Sequence, residues 1–249
     1  MTSPDNLRLV ATEVGCLWTQ YMNDSLGRCV LRYFLSKTED REIRPVVEFA
    51  LGLSQKHLDS ITQIFNNEGI PIPAGFSDED VNPDAPRLYM DTYYLRYLRH
   101  LAKLGIAAYG LASALAVRSD IRDFYYACTQ SALELNERVI QVQLSKGLFV
   151  RAPYIPTPKQ VEFVQAPNFM GSLIGEKRPL TALSIMSIFP NIQTNATART
   201  LLVGFSQTAQ SPEVRDHLMR GSEITKKHIK VMNTIWEDSD LPASATAES

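Results

Sequence analysis

Apolar residues recur at alternating steps of four and three along two long N-terminal stretches, the period of an amphipathic helix. In the first, about 9–36, the stripe runs Val10, Val14, Leu17, Tyr21, Asp24, Arg28, Leu31 and Leu35. In the second, about 41–67, it runs Ile43, Val47, Ala50, Ser54, His57, Ile61 and Ile64, and Gly69 then offers a residue free to take positive φ. A connector follows at 70–86, with Pro71, Pro73, Pro83 and Pro86 among the acids Asp78, Glu79, Asp80 and Asp84. It is too long for a turn between antiparallel neighbours and reads as a crossover. A third helix, about 87–117, is aromatic early (Tyr89, Tyr93, Tyr94, Tyr97) and small late (Gly105, Ala107, Ala108, Gly110, Ala112, Ala114). Ser119 and Asp120 are placed to cap a fourth, whose stripe Ile121, Tyr125, Cys128, Ala132, Leu135, Val139 and Val142 lasts until Lys146-Gly147. Short turn, long crossover, short turn predicts an all-α, ferritin-like up-down four-helix bundle over 1–150.

The chain then repeats its first half. After a proline-rich strap at 151–179, a shift of 171 residues superposes 9–71 on 180–242 without a gap. The register pairs Arg28 with Arg199, Leu31 with Leu202, Phe34 with Phe205, Glu42 with Glu213, Arg44 with Arg215, Lys56-His57 with Lys227-His228 and Ile64 with Ile235. A C-terminal helical hairpin is therefore predicted in a third region, 180–249, with helices at about 181–208 and 212–237. Pro190, where the first copy has Thr19, predicts a kink or a helix start. The residues after 242 read as a disordered tail. A two-helix repeat cannot bury its own apolar face, so the second copy must pack on the first domain or on another chain. A homo-oligomer joined through 180–237 is the expectation.

Composition narrows the partners. The net charge of −2 supplies no clustered basic surface for a polyanion, so nucleic acid is not expected. No segment reaches the roughly 18 apolar residues of a membrane span, and the N-terminus does not look like a signal peptide, so a cytoplasmic location is expected. Cys16, Cys29 and Cys128 lie within helical pattern and read as structural thiols.

Polar residues on the helical stripes are costly unless satisfied, which singles out Asp24, Arg28 and His57. Counting from the first turn sets Tyr21 and Asp24 opposite His57 and Ser54. One reading is a buried network of Tyr21, Asp24, Arg28, Ser54 and His57, with Arg28 neutralised by Asp24 one turn away and His57 bonded to Tyr21, Asp24 or Ser54. Arg199 and His228 recur in the second copy, where Asp24 becomes Asn195. The other reading is a metal centre. A di-metal site needs Glu-x-x-His on two helices, which Ser54-Gln-Lys-His57 and Glu134-Leu-Asn-Glu137 do not supply. A mononuclear ion held by His57, His100 and Glu134, with Asp24 nearby, remains the metal alternative. No nucleophile elbow, phosphate loop or dinucleotide fingerprint is present in the sequence. The tyrosines from Tyr93 to Tyr97 could line a groove for a small ligand.

Several segments carry a family resemblance: residues 17–25 (LWTQYMNDS), 54–57 (SQKH), 118–124 (RSDIRDF), 146–156 (KGLFVRAPYIP) and 191–196 (NIQTNA). Over essentially the whole chain it resembles the bacilli family catalogued as domain of unknown function 3231, which is placed among ferritin-like proteins and is similar to the spore coat F group. The resemblance implies a non-enzymatic, spore-associated or sporulation-associated protein that self-assembles, with no cofactor. The alternative is a metal-binding oxidoreductase or metal-storage protein using zinc, iron or manganese.

Overall fold

The computed structural model describes residues 7–155, 157, 160, 180–239 and 241. Among these, every regular element is helical: α1 (Ala11–Lys37), α2 (Arg44–Glu68), a 3-10 turn (Asp78–Asp80), α3 (Asp91–Leu115), α4 (Ser119–Ser145), α5 (Ala182–Thr208) and α6 (Pro212–Glu237). The chain divides into two compact units, Met1–Phe149 and Val150–Ser249. The expected tail and most of the strap lie outside the described residues.

In the first unit α1 pairs with α2 and α3 with α4, and the two pairs meet with α2 against α4 and α1 against α3. At one end Leu17, Ile61 and Phe65 pack on Ala112, Ile121 and Tyr125. At the other, Phe34 stacks on Tyr94 with ring centroids 4.4 Å apart and meets Tyr89, Tyr93 and Tyr97 edge-on. Side chains of this size contribute roughly 1.5–3 kcal/mol each when fully buried. The rings that could have lined a groove therefore pack against one another. Gly69 and Gly147 close α2 and α4 with φ of 66° and 67°, as the helix-stop signals require.

The buried stripe of α1 differs from the expected one. Its inward residues are Glu13, Leu17, Gln20, Asp24, Gly27, Leu31 and Phe34, while Val10 is exposed and Arg28 partly so. The two stripes share Leu17, Asp24 and Leu31. Between them the true inner face carries polar or small residues, so hydrophobicity alone points one residue aside. On α2 and α4 the inner residues are apolar enough for the pattern to hold from Ile43 to Ile61 and from Ile121 to Val139.

Glu13 explains a second difference. Ser119 does not cap α4, whose N-cap is Arg118 with no side-chain cap bond; the turn is held instead by Glu13 Oε1, which accepts the backbone N–H groups of Val117 (2.8 Å) and Arg118 (2.9 Å) from across the bundle. Its Oε2 accepts the N–H of Val10 at the start of α1 (2.9 Å). Burial opposes the charge, but these bonds and the Arg118 guanidinium hold the Glu13 carboxyl below the usual range. Asp120 caps only locally, through Ile121 N–H. At the opposite end Asp91 accepts the N–H groups of Glu39 and Asp40 with Oδ2 and pairs with Arg87 through Oδ1, which fixes the α1 to α2 turn and starts α3 four residues later than expected.

The connector is a crossover laced along α1. Ser25 Oγ accepts Phe76 N–H (3.1 Å) and Cys29 Sγ donates to Ser77 O (3.1 Å). Arg32 pairs with Asp78. Tyr33 donates to Pro86 O (2.7 Å) and accepts from Leu88 N–H, and Ser36 donates to Pro83 O (2.9 Å). Successive turns of α1 from Ser25 to Ser36 thus each hold a point of the crossover.

In the second unit α5 and α6 pair around Ile185, Ile192 and Trp236, with Phe189 stacked on Trp236. Helix α5 runs through Pro190, so no helix starts there.

Glu13→Ala leaves three backbone donors without their acceptor. The variant is expected to lose about 2–4 kcal/mol of stability in urea unfolding, with the m-value unchanged. A midpoint within error of the parent would remove Glu13 from this role.

Candidate functional site

The polar centre of the first unit draws on all four helices. Its heart is a contact between α1 and α2: His57 Nδ1 lies 3.2 Å from Asp24 Oδ2, with the two residues 6% and 7% exposed. The ring meets Tyr109 of α3 and Phe124 of α4 edge-on, at centroid distances of 5.6 and 6.3 Å. The Cys128 thiol lies beside it, and Gln20 Nε2 donates to that sulfur at 3.7 Å. Burial pushes the His57 pKa down, but the Asp24 carboxylate and the Cys128 thiol outweigh it and hold the imidazolium up to about 9. Gln20 Oε1 and the Tyr125 hydroxyl are buried there without a hydrogen-bond partner among the described residues.

Of the three partners open to His57 in the sequence, the structure brings Asp24. Ser54 is buried one turn before it, against Gly27, and Tyr21 is half-buried against the core. Arg28 does not neutralise Asp24. It turns outward from the bundle, with Nη1 donating to Gln55 Oε1 (3.3 Å) and Nη2 lying 3.6 Å from Asp78, because Asp24 faces inward to His57. Arg28, Arg32, Glu48, Gln55 and Asp78 line a surface groove of about 460 Å³.

The residues of the expected mononuclear metal set, His57, His100 and Glu134, are not gathered. Glu134 lies on an exposed face of α4 and pairs with Arg138 one turn on, while His100 is half-buried, its pKa lowered by burial and by Lys103. Among the described residues no three His, Cys, Asp or Glu side chains are grouped as ligands. Gln20, Tyr109, Tyr125 and Cys128 escaped notice as members of the centre. Cys128 and Tyr125 stand on the α4 stripe, and Gln20 would have followed from shifting the α1 stripe by one residue.

The second copy keeps the central contact and changes its chemistry. His228 Nδ1 lies 3.1 Å from Asn195 Oδ1, between the positions equivalent to His57 and Asp24. Asn195 Nδ2 donates to Asn191 O (2.9 Å), which fixes the amide with its oxygen towards the ring. His228, unlike His57, is exposed.

A histidine pKa raised above its unfolded value of about 6.5 contributes stability that is complete below that pH and is lost as pH rises through about 9. Chemical denaturation from pH 6 to 10 is therefore expected to show stability falling across this window. Asp24→Asn, which copies the second hairpin, should abolish that part of the slope and cost about 1–3 kcal/mol at pH 7. An unchanged slope in the variant would show that the pair does not carry it.

No curated protein matches the chain. Among solved structures it is similar to the crystal structure of a Bacillus halodurans protein described as a "putative spore coat protein", at 16% identity and a TM-score of 0.54, over 64% of this chain and all of that one. At that identity the likeness bears on the helical fold alone. No helix among the described residues is long and apolar enough to cross a membrane. The family described as "Protein of unknown function (DUF3231)" matches residues 1–161 and again 168–249, so both the four-helix unit and the repeated hairpin are covered, and the chain belongs to that family.

Proposed function

We propose that the protein is a non-enzymatic, ferritin-like structural component of the spore or its coat, and that two copies associate through the hairpin α5–α6. The observation that carries this reading is an apolar seam covered in one copy of the repeat and uncovered in the other. Leu17, Leu31, Phe34, Val47 and Ile61 are fully buried in the first unit, where α3 and α4 lie over them. Their counterparts Ile188, Leu202, Phe205, Leu218 and Met232 are only half-buried, and Val214, at the position of the buried Ile43, is 53% exposed.

The second hairpin keeps this seam but not the residues that hold a crossover and two further helices in place. Glu13 becomes Ser184, Ser25 becomes Ala196, Arg32 becomes Val203 and Tyr33 becomes Gly204. It is suited to a different cover, and a second copy fits. Helices of this length present a face of roughly 40 by 20 Å, about 800 Å² per partner, the size of a stable interface. Asn195 in place of Asp24 also spares the seam a pair of facing carboxylates. The family and the spore-coat likeness of the fold support the location, and a buried centre occupied by an ion pair supports a structural role over an enzymatic one.

Sedimentation of the intact protein should give a dimer at micromolar concentration. Val214→Glu with Ile235→Glu, both at exposed positions, should weaken it roughly hundredfold or more without loss of helicity. A parent protein that stays monomeric, or a dimer indifferent to these changes, would overturn the pairing.

A further inference from the structure

Helix α3 carries an unbalanced charge. Over 92–115 it has Arg96, Arg99, His100 and Lys103 and no acid, and its one carboxylate, Asp91 at its start, pairs with Arg87. Residues four apart share a helix face, so Arg99 and Lys103 stand one turn apart on the same side. The geometry points to a binding site for a single phosphate-type oxyanion, held by Arg99 and Lys103 where α3 meets α4.

Arg99 supplies the shape of the site. Its guanidinium lies over the Phe149 ring, 4.3 Å from the centroid, and its Nη1 donates to Gln143 Oε1 at 3.3 Å. These two contacts fix the plane of the group and use one side of it. The other edge, formed by the N–H groups of Nε and Nη2, has no acceptor among the described residues. Two parallel N–H groups on a guanidinium edge match two oxygens of one anion. A carboxylate would be used up by that edge, whereas a tetrahedral oxyanion keeps a further oxygen for the Lys103 ammonium.

The surroundings supply the charge. Partial burial and the Arg99 charge push the Lys103 pKa down, burial and Lys103 do the same to His100, and burial lowers Arg99. A facing carboxylate would act the other way, and α4 brings none to this level. Gln143 and Asn136, seven residues apart on one face of that helix, are amides, while Glu134 and Glu137 are exposed and bond Arg138 and Gln141. Arg99 and Lys103 are thus held on one face with no carboxylate paired to either among the described residues. A bound oxyanion offsets that repulsion.

Isothermal titration of the intact protein with inorganic phosphate, against chloride and acetate at matched ionic strength, tests the site. The expected result is one saturable phosphate per chain with a Kd of about 1 mM or tighter, and acetate at least about tenfold weaker. Arg99→Gln should abolish binding. Arg99→Lys keeps the charge and loses the paired edge, and should weaken phosphate by about tenfold or more with helicity unchanged, which guards against a Gln variant that does not fold. Lys103→Gln should weaken it severalfold, and Arg138→Gln, whose guanidinium already bonds Glu134, should change nothing. Sedimentation with phosphatidylcholine vesicles containing phosphatidic acid tells the sources apart: capture that Arg99→Gln abolishes assigns the phosphoryl group to a lipid, and no capture beside saturable phosphate assigns it to a free or small-molecule phosphate. Phosphate heats no larger than those of chloride, together with no vesicle capture, overturn the site. Binding that persists in both Arg99 variants overturns it equally.

Discussion

Two antiparallel helices joined by a short turn cannot bury their own inner face, and the organisation of this chain follows from how that face is covered. In the first unit the cover is the pair α3–α4, and the chain must cross the length of the bundle to deliver it. The lacing of the crossover to Ser25, Cys29, Arg32, Tyr33 and Ser36, and the reach of Glu13 to the α3–α4 turn, hold the cover in register. In the second hairpin these fixtures are gone while the apolar seam remains. That combination fits a face retained for contact with something other than a crossover-linked pair of its own.

One substitution at the centre of the repeat changes what the histidine there can do. Opposite Asp24, His57 completes a buried ion pair walled by Tyr109, Phe124 and Cys128. Opposite Asn195, the same side chain keeps its contact on an exposed face, with an amide oxygen in place of the carboxylate. The same position of the repeat is thus buried beside a carboxylate in one copy and exposed beside an amide in the other.

Much of the architecture was legible because it rests on long apolar periods and on strong punctuation. The α2 and α4 stripes, the stops at Gly69 and Gly147, the crossover and the repeat are all of this kind. The α1 stripe was misplaced because its inner face spends Glu13, Gln20, Asp24 and Gly27 on tasks other than apolar burial. The contact between Asp24 and His57 was among the readings open, since both lie on stripe positions of facing helices. The roles of Glu13 and Asp91 were not visible, because their partners are backbone N–H groups more than 50 residues away, and no local pattern marks such a bond. Arg28 was misread because an acid one turn away is a good partner only when it does not face the core.

The central claim is that both copies of the repeat bury the same seam, one within the chain and the other between chains. Diethyl pyrocarbonate labelling of the intact protein at micromolar concentration, followed by peptide mass analysis, tests it at the histidines. The account predicts that exposed His217 is modified while His57 and His228 are both protected. Modification of His228 as fast as His217 would show that the second seam is open, and would contradict the account.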